Sequence, residues 1–530
     1  MIPYACQCGG TCIGKTWRDA MARPGLSRAQ DQVNILLKFP LEQQVGSDII
    51  AALTDPDRGV RREALARIEI YEPDYRQHAE DVVRRIVDRL APVAPSLGVT
   101  AEASGASYLS IDDLDPNVGP PEGVPIYNPY TGVLSVYPDY GVTAEDAVQS
   151  IETAVKDDDE VEGVEPVAIY RAIAALDANL QTIPEISGFN DAGFGMEEVE
   201  FRDDDASLLA ETTGEHIPWG IDQIGARAAW RRGYTGQGVF VAVVDTGISP
   251  HMDLAEPVRG ATLIPGSNSY NDDHGHGTHV AGTIAALKEN SRGVVGVAPG
   301  ARLLAVKVLA RDGFSRGDSV AHGVTWAANN GARVINLSLG SRADSDSLRR
   351  AVVYARSRNV IICAAAGNDY GAPVSYPAAF DDACIAVAAT DRANRRAPFS
   401  NRGRQVDLSA PGVLIRSTHL ANGYREMNGT SMATPHVSGV AAIVLSQHPD
   451  LTPLALQRHL EATATRLGAP DQYGRGLVHA ERAVARSVSS ATSDIGVPPQ
   501  PLGGTAVAAI RSRGRRSGAR SEKSMGAENV

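Results

Sequence analysis

The chain has 530 residues, which is too long for one small domain and predicts several structural units. Its hydrophobic content of 43% allows a large buried core, and its formal net charge of −13 excludes the basic character typical of nucleic-acid-binding proteins. No stretch reaches the roughly 20 apolar residues that a membrane-spanning helix needs, so we expect no membrane span.

The N-terminus has no basic region followed by an apolar run, which predicts a cytoplasmic or a non-classically exported protein. Cys6, Cys8 and Cys12 lie in a glycine-rich stretch, but no fourth ligand is near and their spacing fits no standard zinc pattern. This favours a reduced tail over a metal site. Cys363 and Cys384 lie in apolar runs and are predicted to be buried small hydrophobic residues.

Residues 27–94 show helical periodicity, with Val33, Leu36 and Leu37 on one face. Residues 48–68 resemble a single HEAT-type helical pair, and one such pair cannot bury its own apolar face. The pattern predicts a helical N-terminal region whose function the sequence does not indicate.

A small α+β unit is predicted next, after a stretch at 101–130 that is rich in proline, glycine and aspartate and has the character of a loop. Residues 130–140 have the pattern of a strand, and 143–158 have the spacing of a capped helix. Residues 165–176 fit either a strand or a helix, and the acidic residues 180–213 are loop-like.

From residue 214 onward, short apolar runs alternate with helical patterns. Such runs predict parallel strands that are covered by helices on both faces. A sheet of this kind places its chemistry at the carboxyl ends of its strands, so the polar residues near those ends form the candidate site. In chain order they are Asp245, His276, Asn336, Ser338, Asn368 and Ser431.

Each of these residues has an ordinary structural interpretation when it is taken alone, because aspartate can end a strand, asparagine favours turns and serine can cap a helix. Together they supply the groups of a hydrolase. A serine hydroxyl needs an adjacent base, a histidine can take and return its proton, and a carboxylate fixes the histidine tautomer. The oxyanion needs donors such as a side-chain amide and a backbone N–H. The matching residues are Ser431, His276, Asp245 and Asn368.

The segments "VAVVDTGI", "HGTHVAGT" and "GTSMATPHVSG" match, in this order, the Asp, His and Ser segments of subtilisin-like serine endopeptidases, and the chain resembles this family over residues 214–482. The resemblance implies a three-layer α/β catalytic domain with a parallel sheet. It implies that Asp245, His276 and Ser431 form the triad, with the Ser431 hydroxyl turned toward His276. Asn368 is then the oxyanion donor, beside the N–H of Ser431.

The resemblance also implies where a peptide substrate binds. In the family the substrate adds as a strand between two edge segments, which correspond here to residues 311–315 and 338–341. Small or apolar residues, Ala364 among them, should wall the primary pocket, which predicts broad, hydrophobic-leaning cleavage. Asp369 could make the pocket rim tolerant of basic side chains. Dibasic cleavage of the kexin-like kind is less expected, because the tail is too short for the β-sandwich of that branch. The predicted substrate-binding residues are Gly313, Phe314, Ser338, Leu339, Gly340, Ala365 and Ala366.

The resemblance implies that catalysis needs no cofactor and that a structural calcium ion takes oxygen ligands from Glu215, Asp253 and Asn290. The loop that carries Asn290 is one residue longer than the commonest family form. The second histidine of "HGTHV", His279, is implied to be a structural residue of the helix.

Four units are predicted: an N-terminal region at 1–115, a prosegment and linker at 116–213, the peptidase domain at 214–485 and a flexible basic tail at 486–530. Family precursors carry an α+β prosegment that assists folding and blocks the cleft, so the maturation cut is expected near 205–220. We therefore predict a serine endopeptidase that hydrolyses protein and peptide substrates through an acyl-enzyme. It is made as a self-processed zymogen, is inhibited by its own prosegment and has no nucleic-acid partner.

Two alternatives belong to other classes of function. A subtilase fold can serve as a binding module without activity, but such relatives usually lack a triad or oxyanion residue and none is missing here. The N-terminal helices could also recruit a partner alongside protease activity.

Overall fold

The computed structural model describes residues 33–37, 57–66, 73–90, 108–121, 124–136, 144–173, 214–257, 259–315 and 318–487. No helix within these ranges has the length and apolar character to cross a membrane. Cys6, Cys8 and Cys12, the basic tail, and residues 205–213 of the expected cut site lie outside the described residues.

A five-stranded sheet covered by two helices, α2 and α3, forms the first unit, and its strands lie in the order β2, β3, β4, β1, β5; α1 and β6 belong to the same part of the chain but not to this sheet. All neighbours in this sheet are antiparallel except β2 and β3. The elements are β1 (Val33–Leu37), α1 (Arg58–Ala66), α2 (Pro73–Leu90), β2 (Leu109–Ser110), β3 (Ile126–Asn128), β4 (Val133–Val136), α3 (Ala144–Val155), β5 (Val161–Pro166) and β6 (Arg171–Ala172).

The prediction of a helix through Val33, Leu36 and Leu37 was wrong. These residues form β1, which is buried throughout and pairs with β4 on one side and β5 on the other. A five-residue apolar run fits a buried strand as well as a helix, so partners elsewhere in the chain decide its structure. The stretch 101–130, predicted as a loop, contributes β2 and β3. The sheet thus joins residues on both sides of the predicted boundary at residue 115.

The apolar face of this sheet is covered by α2 and α3. Val83 and Ile86 of α2 and Ile151 of α3 are fully buried against Ile35 and Leu134 of the sheet. Such burial contributes about 1.5–3 kcal/mol for each large aliphatic side chain, which makes the unit a packed body with its own core.

The second unit runs from residue 214 to residue 487 and alternates strands with helices. Its elements are α4 (Trp219–Gln223), α5 (Ala226–Arg231), β7 (Phe240–Asp245), β8 (Arg259–Thr262), α6 (His276–Ala285), β9 (Arg302–Lys307), α7 (Ser319–Asn329), β10 (Val334–Leu337), β11 (Leu339–Gly340), α8 (Asp346–Ser357), β12 (Ile361–Ala365), β13 (Ile385–Thr390), β14 (Val406–Pro411), β15 (Ile415–Thr418), β16 (Tyr424–Met427), α9 (Thr430–Gln447), α10 (Pro453–Thr463), α11 (Pro470–Tyr473) and α12 (Ala480–Ala485).

Seven of these strands form one parallel sheet in the order β14, β13, β12, β10, β7, β9, β8. Helices α6 and α9 cover one face, and α7 and α8 cover the other. The strands are apolar along their length because neither face meets water. The prediction of a three-layer α/β fold is therefore confirmed. Cys363 and Cys384 are free and fully buried, as the apolar runs around them indicate.

Candidate active site

The carboxyl end of β7 places Asp245 against His276, the first residue of α6. Nδ1 of His276 lies 2.7 Å from Oδ1 of Asp245, and both side chains are fully buried. Burial lowers the pKa of His276, but the charge of Asp245 and the hydrogen bond to it outweigh burial and leave the pKa above its ordinary value. Nε2 of His276 has no hydrogen-bond partner in the described part of the chain. The pair therefore holds the imidazole with Nε2 available as a base.

The start of α6 is held by Asp272, whose role sequence reasoning missed. Its two carboxylate oxygens accept hydrogen bonds from the N–H groups of His274, Gly275 and Thr278 at 2.8–2.9 Å. Burial raises the pKa of Asp272, but these hydrogen bonds outweigh it, so the pKa lies below its usual range. The negative charge of Asp272 also interacts favourably with the positive, amino-terminal end of α6. Asp272 thereby fixes the loop that presents His276, and the acidic pair in "NDDHGHG" is the signal that could have indicated it.

His279, one turn further along α6, has a different environment. Its Nε2 lies 2.9 Å from the carbonyl oxygen of Ile415 and 3.0 Å from that of Arg425. Burial lowers its pKa to about 3, so the ring is neutral. It connects α6 to the β15–β16 hairpin.

Ser431 lies in the first turn of α9, which begins directly after Gly429. Pro435 has no N–H to donate to the carbonyl oxygen of Ser431 four residues earlier. The hydroxyl of Ser338 donates to that oxygen instead, at 2.8 Å, and the side-chain amide of Asn336 donates to the Ser338 hydroxyl at 2.9 Å. Because Pro435 leaves the Ser431 carbonyl oxygen without its helical donor, Ser338, which directly follows β10, can bind this oxygen and fix the backbone of Ser431.

The side-chain hydroxyl of Ser431 donates to the carbonyl oxygen of Ser338 at 2.8 Å. The expected orientation toward His276 is therefore not the one that this structure has. A strong backbone acceptor lies directly beside the hydroxyl, and a hydroxyl rotates about its single bonds to the best acceptor.

The side chain of Asn368, three residues beyond β12, is fixed from one side by Thr430. Oδ1 of Asn368 accepts from both the N–H and the hydroxyl of Thr430, each at 2.9 Å. This leaves Nδ2 to point the other way, where it donates to the carbonyl oxygen of Ile173 at 2.9 Å. Thr430 is a second residue that sequence reasoning missed, although it directly precedes Ser431 in "GTS".

The chain's own residues 170–173 occupy the two edge segments that were expected to bind substrate. The N–H of Ala172 donates to the carbonyl oxygen of Gly313 at 2.9 Å, and the N–H of Ile173 donates to that of Ser338 at 3.2 Å. β6 pairs antiparallel with β11, so that Leu339 lies opposite Ala172 and Gly340 opposite Arg171, and Arg171 also bridges to Phe314. The segment lies between the two edges as an added strand.

The pocket next to Asn368 receives the side chain of Ile173. A Cβ atom placed on Gly340 would lie 2.5 Å from Cδ1 of Ile173, so the two residues are in close contact. Ala365 and Ala366 are fully buried at the same edge of the sheet. Asp369 pairs with Arg171 at 3.2 Å, so its charge acts on the position two residues before Ile173 and not on the rim of this pocket.

Glu215, Asp253 and Asn290 lie together, but their arrangement does not fit a calcium site. Asn290 turns its amide nitrogen, not its oxygen, to Oδ1 of Asp253 at 2.5 Å. The second oxygen of Asp253 accepts from the N–H of Val294 at 2.8 Å, and Glu215 accepts from the N–H of Asn290 at 3.2 Å. Calcium needs oxygen ligands on several sides, whereas N–H donors surround these carboxylates. Within the described ranges, no cluster of three or more histidine, cysteine or acidic side chains has metal-site geometry.

A buried Asp–His pair, a serine at a helix start and an amide donor around a strand-binding cleft define a serine peptidase. Residues 236–476 match the model of the subtilase family, Peptidase_S8. The chain is 53% identical over 270 residues to Subtilisin BL of Lederbergia lenta, which covers 51% of this chain and 99% of that protein. It is 50% identical over 286 residues to an alkaline protease of Alkalihalobacillus alcalophilus, which covers 54% of this chain and 74% of that protein. The chain therefore belongs to the subtilase family and is a subtilisin-like serine endopeptidase.

An alkaline elastase of Bacillus sp. strain YaB is 48% identical over 286 residues, with 54% of this chain and 74% of that protein covered. The prediction of a cytoplasmic or non-classically exported protein was wrong, because these relatives are secreted alkaline proteases. Enzymes of this family need no cofactor for catalysis.

Proposed function

We propose that the chain is the self-inhibited precursor of an endopeptidase whose triad is Asp245, His276 and Ser431. The observation that carries the proposal is the hydrogen bond from Nδ2 of Asn368 to the carbonyl oxygen of Ile173, at 2.9 Å, in a strand that lies along the cleft. This is the position that the carbonyl oxygen of a cleaved peptide bond must take, because the oxyanion donor has to reach it.

The reaction follows from these groups. The Ser431 hydroxyl exchanges the carbonyl of Ser338 for Nε2 of His276, which takes its proton as the oxygen attacks the substrate carbonyl carbon. Asn368 stabilises the negative oxygen that forms, together with the N–H of Ser431. His276 then gives the proton to the leaving amine, the C–N bond breaks, and an acyl-enzyme remains. His276 takes a proton from water as the water oxygen attacks this ester; the C–O bond to Ser431 then breaks, His276 returns the proton to the Ser431 oxygen, and the acid is released. Throughout, Asp245 stabilises the imidazolium.

The precursor is inhibited because residues 170–173 block the cleft. Glu165, just before this segment, accepts hydrogen bonds from the N–H groups of Asp346 and Ser347 at 3.0 Å each. A carboxylate at the start of α8 satisfies N–H groups that lack partners within the helix and interacts favourably with its positive end. The contact anchors the last strand of the first unit, and with it the segment in the cleft.

The first maturation cut falls between Ile173 and Ala174 in this proposal, upstream of the sequence-based expectation at 205–220. The residue in the primary pocket is then isoleucine, which supports a hydrophobic-leaning preference. Any later cut near residue 205–220 trims the new N-terminus.

The test is N-terminal sequencing of the full-length protein over time, with Ser431→Ala as the inactive control. The wild type should yield a fragment that starts at Ala174, while Ser431→Ala stays uncut and neither hydrolyses casein nor reacts with a fluorophosphonate probe. A wild type that is fully active with residues 1–173 still attached by an intact peptide bond would contradict the zymogen proposal. Equal casein turnover by Ser431→Ala and the wild type would contradict the triad.

A further inference from the structure

The arginine-bearing helix α1 packs on the peptidase domain, where it contacts α8 and α10. Arg61 and Arg62 are only 4% and 6% exposed, and Ala64 is 2% exposed. Arginine is almost never buried unless its charge is paired. The helix must therefore bury its arginines against acidic partners.

Arg61 reaches two carboxylates that come just before β13. Its Nη2 lies 2.6 Å from Oδ1 of Asp381, and its Nε lies 3.7 Å from Oδ2 of Asp382. Asp382 also pairs with Arg349 of α8 at 2.8 Å. The charge of Arg61 is thus matched inside the interface.

Arg62 uses three of its nitrogens. Nη2 lies 2.6 Å from Oδ1 of Asp407, Nη1 lies 3.0 Å from Oε1 of Glu461, and Nε donates to the carbonyl oxygen of Asp381 at 3.0 Å. Arg58 pairs with the same Asp407, whose side chain is fully buried. The planar guanidinium fits such a fixed set of acceptors better than a lysine ammonium does. We call the four carboxylates the acidic socket: Asp381, Asp382, Asp407 and Glu461.

The acidic socket and the cleft lie at opposite ends of the strands of the parallel sheet. Asp407 is the second residue of β14, and Asp381 and Asp382 precede β13, so these three lie toward the amino ends of parallel strands. The residues that bind Ile173 follow the carboxyl ends of β10 and β12. In a parallel sheet all amino ends lie on one side and all carboxyl ends on the other, so the two sets of residues are far apart. The chain before residue 174 therefore contacts the peptidase domain at the acidic socket, far from the cleft, as well as within the cleft.

We propose that the acidic socket is a second docking site for the precursor segment, and that its occupant is a helix with two successive arginines, α1. This rests on the proposed function in one respect, namely that residues up to 173 leave on maturation. Because the two anchors belong to one continuous stretch of chain, release of one leaves the other at a high effective concentration. After the cut the segment therefore stays bound until the socket, the cleft and the Glu165 contact have all opened.

The experiment uses full-length Ser431→Ala, which cannot cut itself. A recognition sequence for a site-specific protease is inserted between Asn190 and Asp191, and the purified protein is cut there. The peptidase part is immobilised, and the dissociation rate of the N-terminal fragment is measured. Parallel samples carry Arg61→Ala with Arg62→Ala, or Ile173→Ala, or all three changes.

The double arginine variant should dissociate at least about tenfold faster than the parent, because truncating one side of a buried hydrogen-bonded charge pair acts mainly on the off-rate. Ile173→Ala should also accelerate release, and the combined variant should show the product of the two effects, since distant sites act independently. The matched control is Arg84→Ala on α2. Arg84 is 62% exposed and its ion pair, with Asp81 of the same helix, is 4.0 Å long, so the parental rate is expected.

If the double arginine variant does not fold, Glu461→Gln weakens the same pair from the socket side and should also accelerate release. Parental rates in the arginine and Glu461 variants, with faster release in Ile173→Ala, would overturn the proposal. An inactive wild type would refute the proposed function but would leave this measurement intact, because the experiment needs no activity.

Discussion

The direction in which Asn368 points depends on a neighbour, Thr430. Both the N–H and the hydroxyl of Thr430 donate to Oδ1, so the amide nitrogen is the atom that points into the cleft, where it donates to the carbonyl oxygen of Ile173. The hydroxyl also accepts from the N–H of Gly367 at 3.1 Å. In the proposed mechanism Thr430 is therefore a positioning residue that acts through Asn368.

Thr430→Val should lower kcat by roughly tenfold, because loss of a buried hydrogen bond costs about 1–2 kcal/mol and here loosens the oxyanion donor. KM should change little, since the backbone contacts of the cleft remain. Thr430→Ser should restore kcat. The control is Thr434→Val, one turn further along α9, whose hydroxyl donates to the carbonyl oxygen of Thr430 and does not touch Asn368. Equal kcat values for Thr430→Val and the wild type would contradict this role.

Gly340 has no side chain, and the space that this leaves is taken by the side chain of Ile173. Gly340→Ala would bring a Cβ to 2.5 Å from Cδ1 of Ile173 and to 3.2 Å from Cβ of Ser375. In the mature enzyme kcat/KM should fall by about tenfold or more for peptides with leucine or isoleucine in this position, and much less for alanine. The comparison of the two peptides within one variant is its own control. An unchanged leucine-to-alanine ratio would show that another residue shapes the pocket.

Comparison of the elements around α9 with those at the N-terminus shows which parts of the structure can be predicted from the sequence. The proposed triad residues and Asn368 fall near strand ends and helix starts, where apolar runs and motif spacing indicate them directly. The strand at Val33 and the occupation of the cleft by residues 170–173 were not predictable in this way. Both depend on pairing with strands that are distant in sequence: β4 and β5 in one case and β11 in the other. A short apolar run does not indicate which strand it will pair with.

The residue before α7, Asp318, brings a pH-dependent group to the interface. Burial raises the pKa of Asp318, at the start of α7, to about 8, and nearby Glu165 of the first unit adds to this. Burial also raises the pKa of Glu165, and this effect outweighs the hydrogen bonds from the N–H groups of Asp346 and Ser347, which lower it. The bound state therefore holds protons more tightly than free carboxyls do. The contribution of these two groups to binding is present at low pH and is lost as the pH rises through about 8.

The N-terminal fragment of cut Ser431→Ala should therefore dissociate faster at about pH 9 than at about pH 6. Asp318→Asn cannot ionise and should flatten most of this dependence, leaving the smaller part due to Glu165. Dissociation rates at several pH values provide the measurement. A rate that rises equally in Asp318→Asn would assign the effect to other groups.

At the scale of the whole molecule, the loop near Asp253 indicates how the peptidase domain is stabilised. Both carboxylate oxygens of Asp253 are already bound by N–H donors from Asn290 and Val294. Addition of a chelator to the mature enzyme should therefore leave its Tm within about 1 °C of the value with added calcium. Differential scanning calorimetry is the check, with a calcium-dependent relative as the positive control. A large loss of Tm on chelation would mean that Asn290 turns its oxygen inward around an ion.

The cleft of each molecule already holds a strand of the same chain, with the carbonyl of Ile173 on Asn368. The bond to be cut is thus presented without any encounter between molecules. Maturation should follow first-order kinetics, with a half-time that does not change when the protein is diluted. The liberated enzyme, in contrast, must find its later substrates by diffusion. In the proposed function one site therefore first cuts its own chain at a rate independent of concentration, and afterwards cuts other proteins at a rate that depends on theirs.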